Sequence, residues 1–351
     1  MRKITQKDIA HEAGVSQALV SMILNGEPDG NRISNERRGK ILATAERLGY
    51  RPRKKRKVKG RDKLFVFVSS PVQREEGRSP FIHSSLEGFY HRLYEQVHMA
   101  ALAQGYSTMH YPADKIEELT RWLSEWEVSG IFWNHGSAQL LNWVSPRFPV
   151  VQLERALARE VDSCMADQEM LVQLALEHLH ERGHRRIGYI SKAPVTDYVA
   201  VQRRQAFQNA SAAMEGVEPA CITAGIAGLQ ENLRSSRPVS AIIAPDLICF
   251  KIIQTLSGSG LSCPDDLSLI GIDNFQACDF SSPTLTSVDL NFKDMAGNAF
   301  SLLLARINGE ESLPKKIFVT PRLIERASVR TLAVPGGKTT RATKARSLIR
   351  K

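Results

Sequence analysis

Gln17, Ala18, Ser21 and Met22 are the first residues whose types and spacing could do chemistry together. In a helix, positions i, i+1, i+4 and i+5 lie on one face, and this face starts at the helix N-terminus. A glutamine amide can pair bidentately with adenine. A serine hydroxyl can donate to a base or phosphate or accept from one, and alanine and methionine carbons can touch a thymine methyl. That set describes readout of a DNA major groove. On the opposite side, Val20, Ile23 and Leu24 can pack inward. An ordinary helical hairpin with a polar outer face would show the same residues, so the surrounding elements decide between the two.

Thr5 stands three residues before Asp8, the spacing of a capping box, and Ile9, Ala10 and Ala13 follow on one face of a short helix. Gly14 can take a left-handed conformation and turn the chain, Ser16 can cap a second helix, and Asn25-Gly26 can end it. The spacing predicts a helix-turn-helix. A third helix is predicted after Ser34, carrying Ile41, Leu42, Ala45 and Leu48, and stopped by Gly49 and Pro52.

Charge supports this reading. The 351 residues carry a net charge of +10, distributed unevenly. Residues 1–63 hold 17 Lys and Arg against 7 Asp and Glu, residues 333–351 hold 6 basic residues and no acid, and residues 64–332 hold 24 basic against 30 acidic. A basic head on a mildly acidic body predicts that the head meets a polyanion. Immediately after the head, RKKRKVKGRDK (53–63) places Arg53, Lys54, Lys55, Arg56 and Lys57 in one run suited to neutralising phosphates.

From residue 64 the pattern changes. Short apolar runs (LFVFVS, YSTMHY, GIFWN, PVVQL, RIGYIS, SAIIA, LSLIGID) alternate with helical segments near 84–104, 115–126, 200–214, 247–256 and 292–307. Continuous apolar strands between helices indicate parallel sheets covered on both faces. About 270 residues exceed what one core holds, so two lobes are expected, with a small-molecule site between them. The predicted class is α/β: a small all-α helix-turn-helix head followed by two doubly wound α/β lobes. The expected boundaries are 1–52 for the head, 53–63 for a basic linker, 64–332 for the two-lobed body and 333–351 for a disordered basic tail without a coiled-coil heptad.

Composition excludes several classes. Apolar residues make up 42% and charged residues 24%, the balance of a globular chain. No run of 18 apolar residues occurs, and the first residues have no apolar core of a secretion signal, so a cytoplasmic location is expected. The five cysteines are widely spaced without a CxxC pair, which predicts reduced thiols, with neither a disulfide framework nor a zinc site. There is no P-loop, GxSxG or HExxH, and GSGLSC at 258–263 fails the dinucleotide pattern. No enzyme activity, cofactor or metal is expected.

ITQKDIAHEAGVSQALVSMILNG, followed by RLGYRP, resembles the DNA-binding head of the lactose-repressor (LacI/GalR) family of bacterial transcription regulators. The family pattern is T-x-x-D-[IV]-A-x-x-A-G-V-S-x-x-T-V-S-x-x-L-N, then L-G-Y-x-P. Leu19 stands where Thr is usual, Met22 replaces a frequent guanine-contacting Arg, and the loop at 27–32 is longer. The resemblance implies DNA contacts from Thr5, Ser16, Gln17, Ala18, Ser21, Met22 and Asn25. It also implies a hinge helix that wedges a leucine into the minor groove. Here Val58 is the only apolar stand-in, and Arg53–Lys57 offer plain phosphate contact instead.

The resemblance continues more loosely to about residue 330, in EHLHERGHRRIGYIS, RRQAF, APDLICFKIIQTLSGSGLSCPDDLSLIGIDN and SSPTLTSVDLNFKDMA. It implies a periplasmic-binding-protein-like effector domain in a homodimer that reads a near-palindromic operator at the bacterial nucleoid. Position by position it implies effector contacts from Phe81 (SPFI), Asp167 (MADQ), Asp197, Arg203 (RRQAF), Asp246 and Asp273 (GIDN). Pro245 stands where the family usually has Asn. Four carboxylates and one guanidinium favour a neutral polyhydroxylated effector, a sugar, stacked on an aromatic ring. Plainer roles stay open: Asp246 could cap its helix, Asp273 could bond backbone, Arg203 could pair with a surface acid, and Trp133 and His135 could be core or hinge residues. Residues 70–79 form a longer stretch than usual, a lid or a surface insertion. Two functions follow: a repressor gated by a sugar-like effector, or a constitutive DNA-binding regulator with no small-molecule effector.

Overall fold

The computed structural model describes residues 4–25, 34–48, 50, 64–69, 80–112, 116–134, 136–191, 198–222 and 225–333. The linker at 53–63 with Arg53, Lys54, Lys55, Arg56, Lys57 and Val58, the stretch at 70–79, His135, Asp197 and the tail from 334 lie outside them.

The head begins with α1 (Gln6–Ala13), entered through a complete capping box. The Thr5 amide donates to Asp8 Oδ2 at 2.8 Å, and the Asp8 amide donates to Thr5 Oγ1 at 3.4 Å. Gly14, at φ 68° and ψ 40°, makes the left-handed turn. Ser16 Oγ accepts the Leu19 amide at 3.2 Å at the start of α2 (Gln17–Asn25). Ser34 Oγ accepts the Arg37 amide at 3.4 Å at the start of α3 (Asn35–Arg47). Ile9, Ala10, Ala13, Val20, Ile23, Ile41 and Ala45 make the head's core, flanked by Leu19, Leu24, Leu42, Leu48 and Tyr50.

The body runs β1 (Leu64–Ser69), α4 (Pro80–Leu102), β2 (Ser107–Pro112), α5 (Ile116–Glu125), β3 (Gly130–Trp133), α6 (Ala138–Val144), β4 (Val150–Leu153) and β5 (Asp162–Ala166). It continues through α7 (Gln168–Glu181), β6 (Arg186–Tyr189), α8 (Tyr198–Ala213), β7 (Glu218–Cys221), α9 (Gly225–Leu233), β8 (Ala241–Pro245), α10 (Asp246–Gly258) and β9 (Ser268–Ile272). It closes with β10 (Ser287–Asp289), α11 (Phe292–Ile307), β11 (Lys316–Val319) and β12 (Arg322–Ile324).

Two six-stranded sheets result, ordered β11-β5-β4-β3-β1-β2 and β12-β10-β9-β8-β6-β7. Every pairing is parallel except β10 with β12. Strands β3, β4, β5 and β9 are buried along their whole length, as sheets covered on both faces require. By contact the chain divides into residues 1–167 with 291–320 and residues 168–290 with 321–351. The predicted helices and apolar strands of the body are found near their expected places, and α11 spans the predicted 292–307. Strands β7, β10, β11 and β12 escape a pattern reading because they are short and none is buried along its whole length, and β7 is a largely exposed edge strand. The patterning predicts no element at β5, α6, α7 or α9.

In the first unit, Phe65 stacks on Tyr106 and meets Phe132 and Phe300 edge-on. One ion pair ties the returning helix to the sheet. Arg306 donates from Nε to Asp162 Oδ2 at 2.6 Å and from Nη2 to Asp162 Oδ1 at 2.8 Å. The Lys315 amide adds a bond to Asp162 Oδ1 at 2.7 Å. The Asp162 side chain is 1% exposed, so removing its main partner leaves a buried carboxylate poorly compensated. All four tryptophans, Trp122, Trp126, Trp133 and Trp143, belong to this unit. Arg306→Met is expected to cost about 3 kcal/mol. The loss should appear as a lower urea midpoint of tryptophan fluorescence, and an unchanged midpoint would show the pair to be idle.

In the second unit, fully buried His184 links the approach to β6 with the segment after β12. Its Nε2 must donate to the Arg330 carbonyl (3.1 Å), which leaves Nδ1 to face the Ser240 hydroxyl at 2.9 Å. Burial holds the ring neutral and pushes its pKa down to about 4. Because the folded value is depressed, the stability tied to the neutral ring is complete above about 6.5 and is lost as pH falls through about 4. His184→Gln keeps a donor and an acceptor but cannot titrate. Relative to wild type it should gain roughly 2–3 kcal/mol on going from pH 6.5 to 4, read from amide exchange on β6 and β8. Parallel pH profiles for the two proteins would contradict this.

Candidate DNA-reading face and ligand-contact residues

Helix α2 separates its two sides clearly. Val20 and Ile23 are buried in the head's core, Gln17 and Ala18 are exposed, and Ser21 and Met22 are half-buried beside them. The packing of one side therefore fixes the direction of the other. The first turn of α2 also presents the positive end of its helix dipole, which favours phosphate nearby. Thr5 and Ser16 are exposed, and both hydroxyls cap their own helices, with Thr5 Oγ1 also donating to Asp8 Oδ2 at 2.7 Å. Asn25 is the last residue of α2.

In the second unit the fold brings Arg203 and Asp273 together. Arg203 sits on α8 and is 8% exposed. Its Nε donates to Gln168 Oε1 at 2.6 Å, and its Nη1 lies 3.8 Å from Asp273 Oδ1. Burial pushes the nearby Tyr189 hydroxyl up to about 12, so it stays a neutral donor. Asp273 directly follows β9 with φ 106° and Asn274 has φ 48°, both in the left-handed region. Such conformations in non-glycine residues cost of order 1–3 kcal/mol each and persist only where neighbours hold them. The open alternatives for this pair thus narrow: Arg203 is a buried residue facing Asp273, not a surface partner.

Asp246 requires a correction. It is the first residue of α10 and is 0% exposed, enclosed by protein on all sides. Nor does its side chain cap its own helix. The carboxylate instead accepts from Ser287 Oγ at 2.6 Å, the Phe275 amide at 2.7 Å and Cys278 Sγ at 3.2 Å. Burial first, then the Asp273 carboxylate, pushes its pKa up to about 7. The motif showed the residue but not the direction it faces.

Asp167 follows β5, is partly buried, and donates its amide to the Val319 carbonyl at 3.1 Å. Phe81 lies in the first turn of α4. Trp133, 1% exposed, is a core residue packed with Val66, Val68, Ile131 and Leu141. Sequence reasoning missed Gln168, Asn274 and Ser287. Gln168 follows Asp167 directly, so its place at a strand-to-helix turn was the available signal.

A helix-turn-helix head followed by a body of two mostly parallel α/β sheets is the architecture that the comparisons with known proteins match. Residues 5–53 match the family described as bacterial regulatory proteins, lacI family, and residues 176–329 match the periplasmic binding protein-like domain. The HTH-type transcriptional repressor MelR of Bacillus subtilis is 25% identical, with 92% of this chain and 96% of that protein aligned. The HTH-type transcriptional repressor PurR of Vibrio atlanticus is 24% identical over 93% of this chain and 99% of its own. A solved complex of the transcriptional regulator CelR with cellobiose is similar at a TM-score of 0.65 and 25% identity, covering 93% of this chain and all of that one. Over its head the chain matches the lacI family of bacterial regulatory proteins, and the relatives MelR and PurR, aligned over nearly their whole length, are HTH-type transcriptional repressors. No described helix is long and apolar enough to cross a membrane.

Proposed function

We propose that this protein is a transcriptional repressor that reads a near-palindromic operator as a homodimer and is gated by a neutral, sugar-like effector. The observation that carries the DNA part is the outward face of α2, with Gln17 and Ala18 exposed over a buried Val20 and Ile23. Gln17 pairs with a base, Ser21 with a base or phosphate, and Ala18 and Met22 with methyl groups. Thr5, Ser16 and Asn25 flank that face. One reading helix supplies too little affinity alone, so two heads related by a two-fold axis would share the site. Arg53, Lys54, Lys55, Arg56 and Lys57 neutralise phosphates, with Val58 beside them, and the protein acts on the bacterial chromosome in the cytoplasm.

For the effector, the buried Arg203 beside Asp273 supports a polar clamp in the second unit. Carboxylates accept hydrogen bonds from sugar hydroxyls and repel phosphate. The similar CelR structure holds cellobiose, which agrees with that chemistry. A second reading, a constitutive DNA binder, is favoured by Pro245, which ends β8 with no polar side chain to offer.

Two tests separate these readings. In selection from randomised DNA, Gln17→Ala should relax preference at one or two positions, costing about 1–3 kcal/mol there. Replacing the five linker cations with Gln should weaken all sequences alike and flatten the salt dependence. Equal loss on every sequence in the Gln17 variant would remove it from base readout. In calorimetry, neutral mono- and disaccharides should bind the full chain and alter its operator affinity. Tighter binding of a phosphorylated or carboxylated sugar would refute the effector class, and no binding by any of them would favour the constitutive reading.

A further inference from the structure

Beyond β9, three consecutive amides turn inward. The Asp273 amide donates to the Val288 carbonyl at 3.1 Å, the Asn274 amide to Ser287 Oγ at 3.0 Å, and the Phe275 amide to Asp246 Oδ2 at 2.7 Å. Ser287 Oγ accepts from Asn274 and donates its own proton to Asp246 Oδ1 at 2.6 Å. Two neighbouring amides are thus tied to one buried carboxylate, one directly and one through a hydroxyl.

Gly271 is part of the same arrangement. A Cβ on that residue would lie 2.0 Å from Asp246 Oδ1 and 3.0 Å from Ser287 Oγ. The backbone of β9 approaches the carboxylate closely only because no side chain intervenes. With the amides pulled inward, Asp273 and Asn274 are held at φ 106° and 48°, and the Asp273 carboxylate is left beside Arg203. The Asn274 side chain locks the outer side of the turn, donating to Asp289 Oδ2 at 2.8 Å and accepting from Arg326 Nη2 at 2.9 Å.

We propose that Asp246, with Ser287 as its relay and Gly271 as the gap that admits it, is the positioning residue that builds the Asp273 elbow. It touches no effector itself. The use of the elbow for ligand binding rests on the reading above that Asp273 meets the effector.

The test is amide hydrogen exchange on the ligand-free full chain, resolved at single residues by NMR. Asp246→Asn should speed exchange at Phe275 and Asn274 by about ten- to hundredfold, with β8 and β9 keeping wild-type protection. Ser287→Ala should do so at Asn274 alone, and it decides the matter if the Asn variant does not fold. A pH series distinguishes positioning from mere packing. The titratable groups facing Asp246 are Asp273 and the Cys249 and Cys278 thiols, with Asp279 and Arg326 on the turn behind. Burial pushes both thiols up and out of range. In wild type, protection at Phe275, corrected for intrinsic exchange, should rise as Asp246 ionises through about pH 7, and in Asp246→Asn it should be flat. Wild-type exchange at both amides in the Asn variant, equal loss across β8 and β9 in both variants, or a flat wild-type profile would each overturn the proposal. Titration with cellobiose separates the linked claim. If wild type does not bind it, cellobiose is excluded as effector while the exchange result stands. If wild type binds and Asp246→Asn binds equally, the elbow does not serve that ligand.

Discussion

A parallel strand has to be covered on both faces, and most of this body follows from that constraint. Parallel neighbours need a crossover connection, most often a helix, so apart from β12 the strands of each sheet run in one direction. In the second unit's sheet, Asp246 and Asp273 directly follow the neighbouring strands β8 and β9, at the same ends of that sheet. The same constraint makes the strands themselves chemically silent, since β3, β4, β5 and β9 are wholly buried.

The head solves a different problem with few residues. Seven small or aliphatic side chains form its core, so three short helices depend on their ends being satisfied as well as on apolar burial. The capping box at Thr5, the left-handed Gly14 and the caps at Ser16 and Ser34 supply that. The result is a reading helix held from behind, and a base-reading face needs this rigidity because a misplaced amide loses its bidentate geometry.

Buried charge is used sparingly and always in company. Asp162 keeps two bonds from Arg306 and one from a backbone amide, while Asp246 keeps three protein donors of its own. In each case the carboxylate fixes backbone that local propensity would not: the segment entering β11 in one unit, and two left-handed residues in the other. That is a known use of an expensive group, since the geometry it imposes is specific where apolar packing is adaptable.

Periodicity in the sequence by itself determined the three-helix head and most of the long helices and apolar strands, because hydrophobic spacing and capping residues act over a few positions and can be read there. The pattern of identities around Gln17 carries the match of the head to the lacI family. Tertiary structure alone decided which carboxylates face outward. Asp246 and Asp273 look equivalent as motif acids, yet one is enclosed by Ser287, Phe275 and Cys278 and the other stands beside Arg203. Their partners come from residues 29 to 70 positions away, and no local pattern records a contact made across that distance.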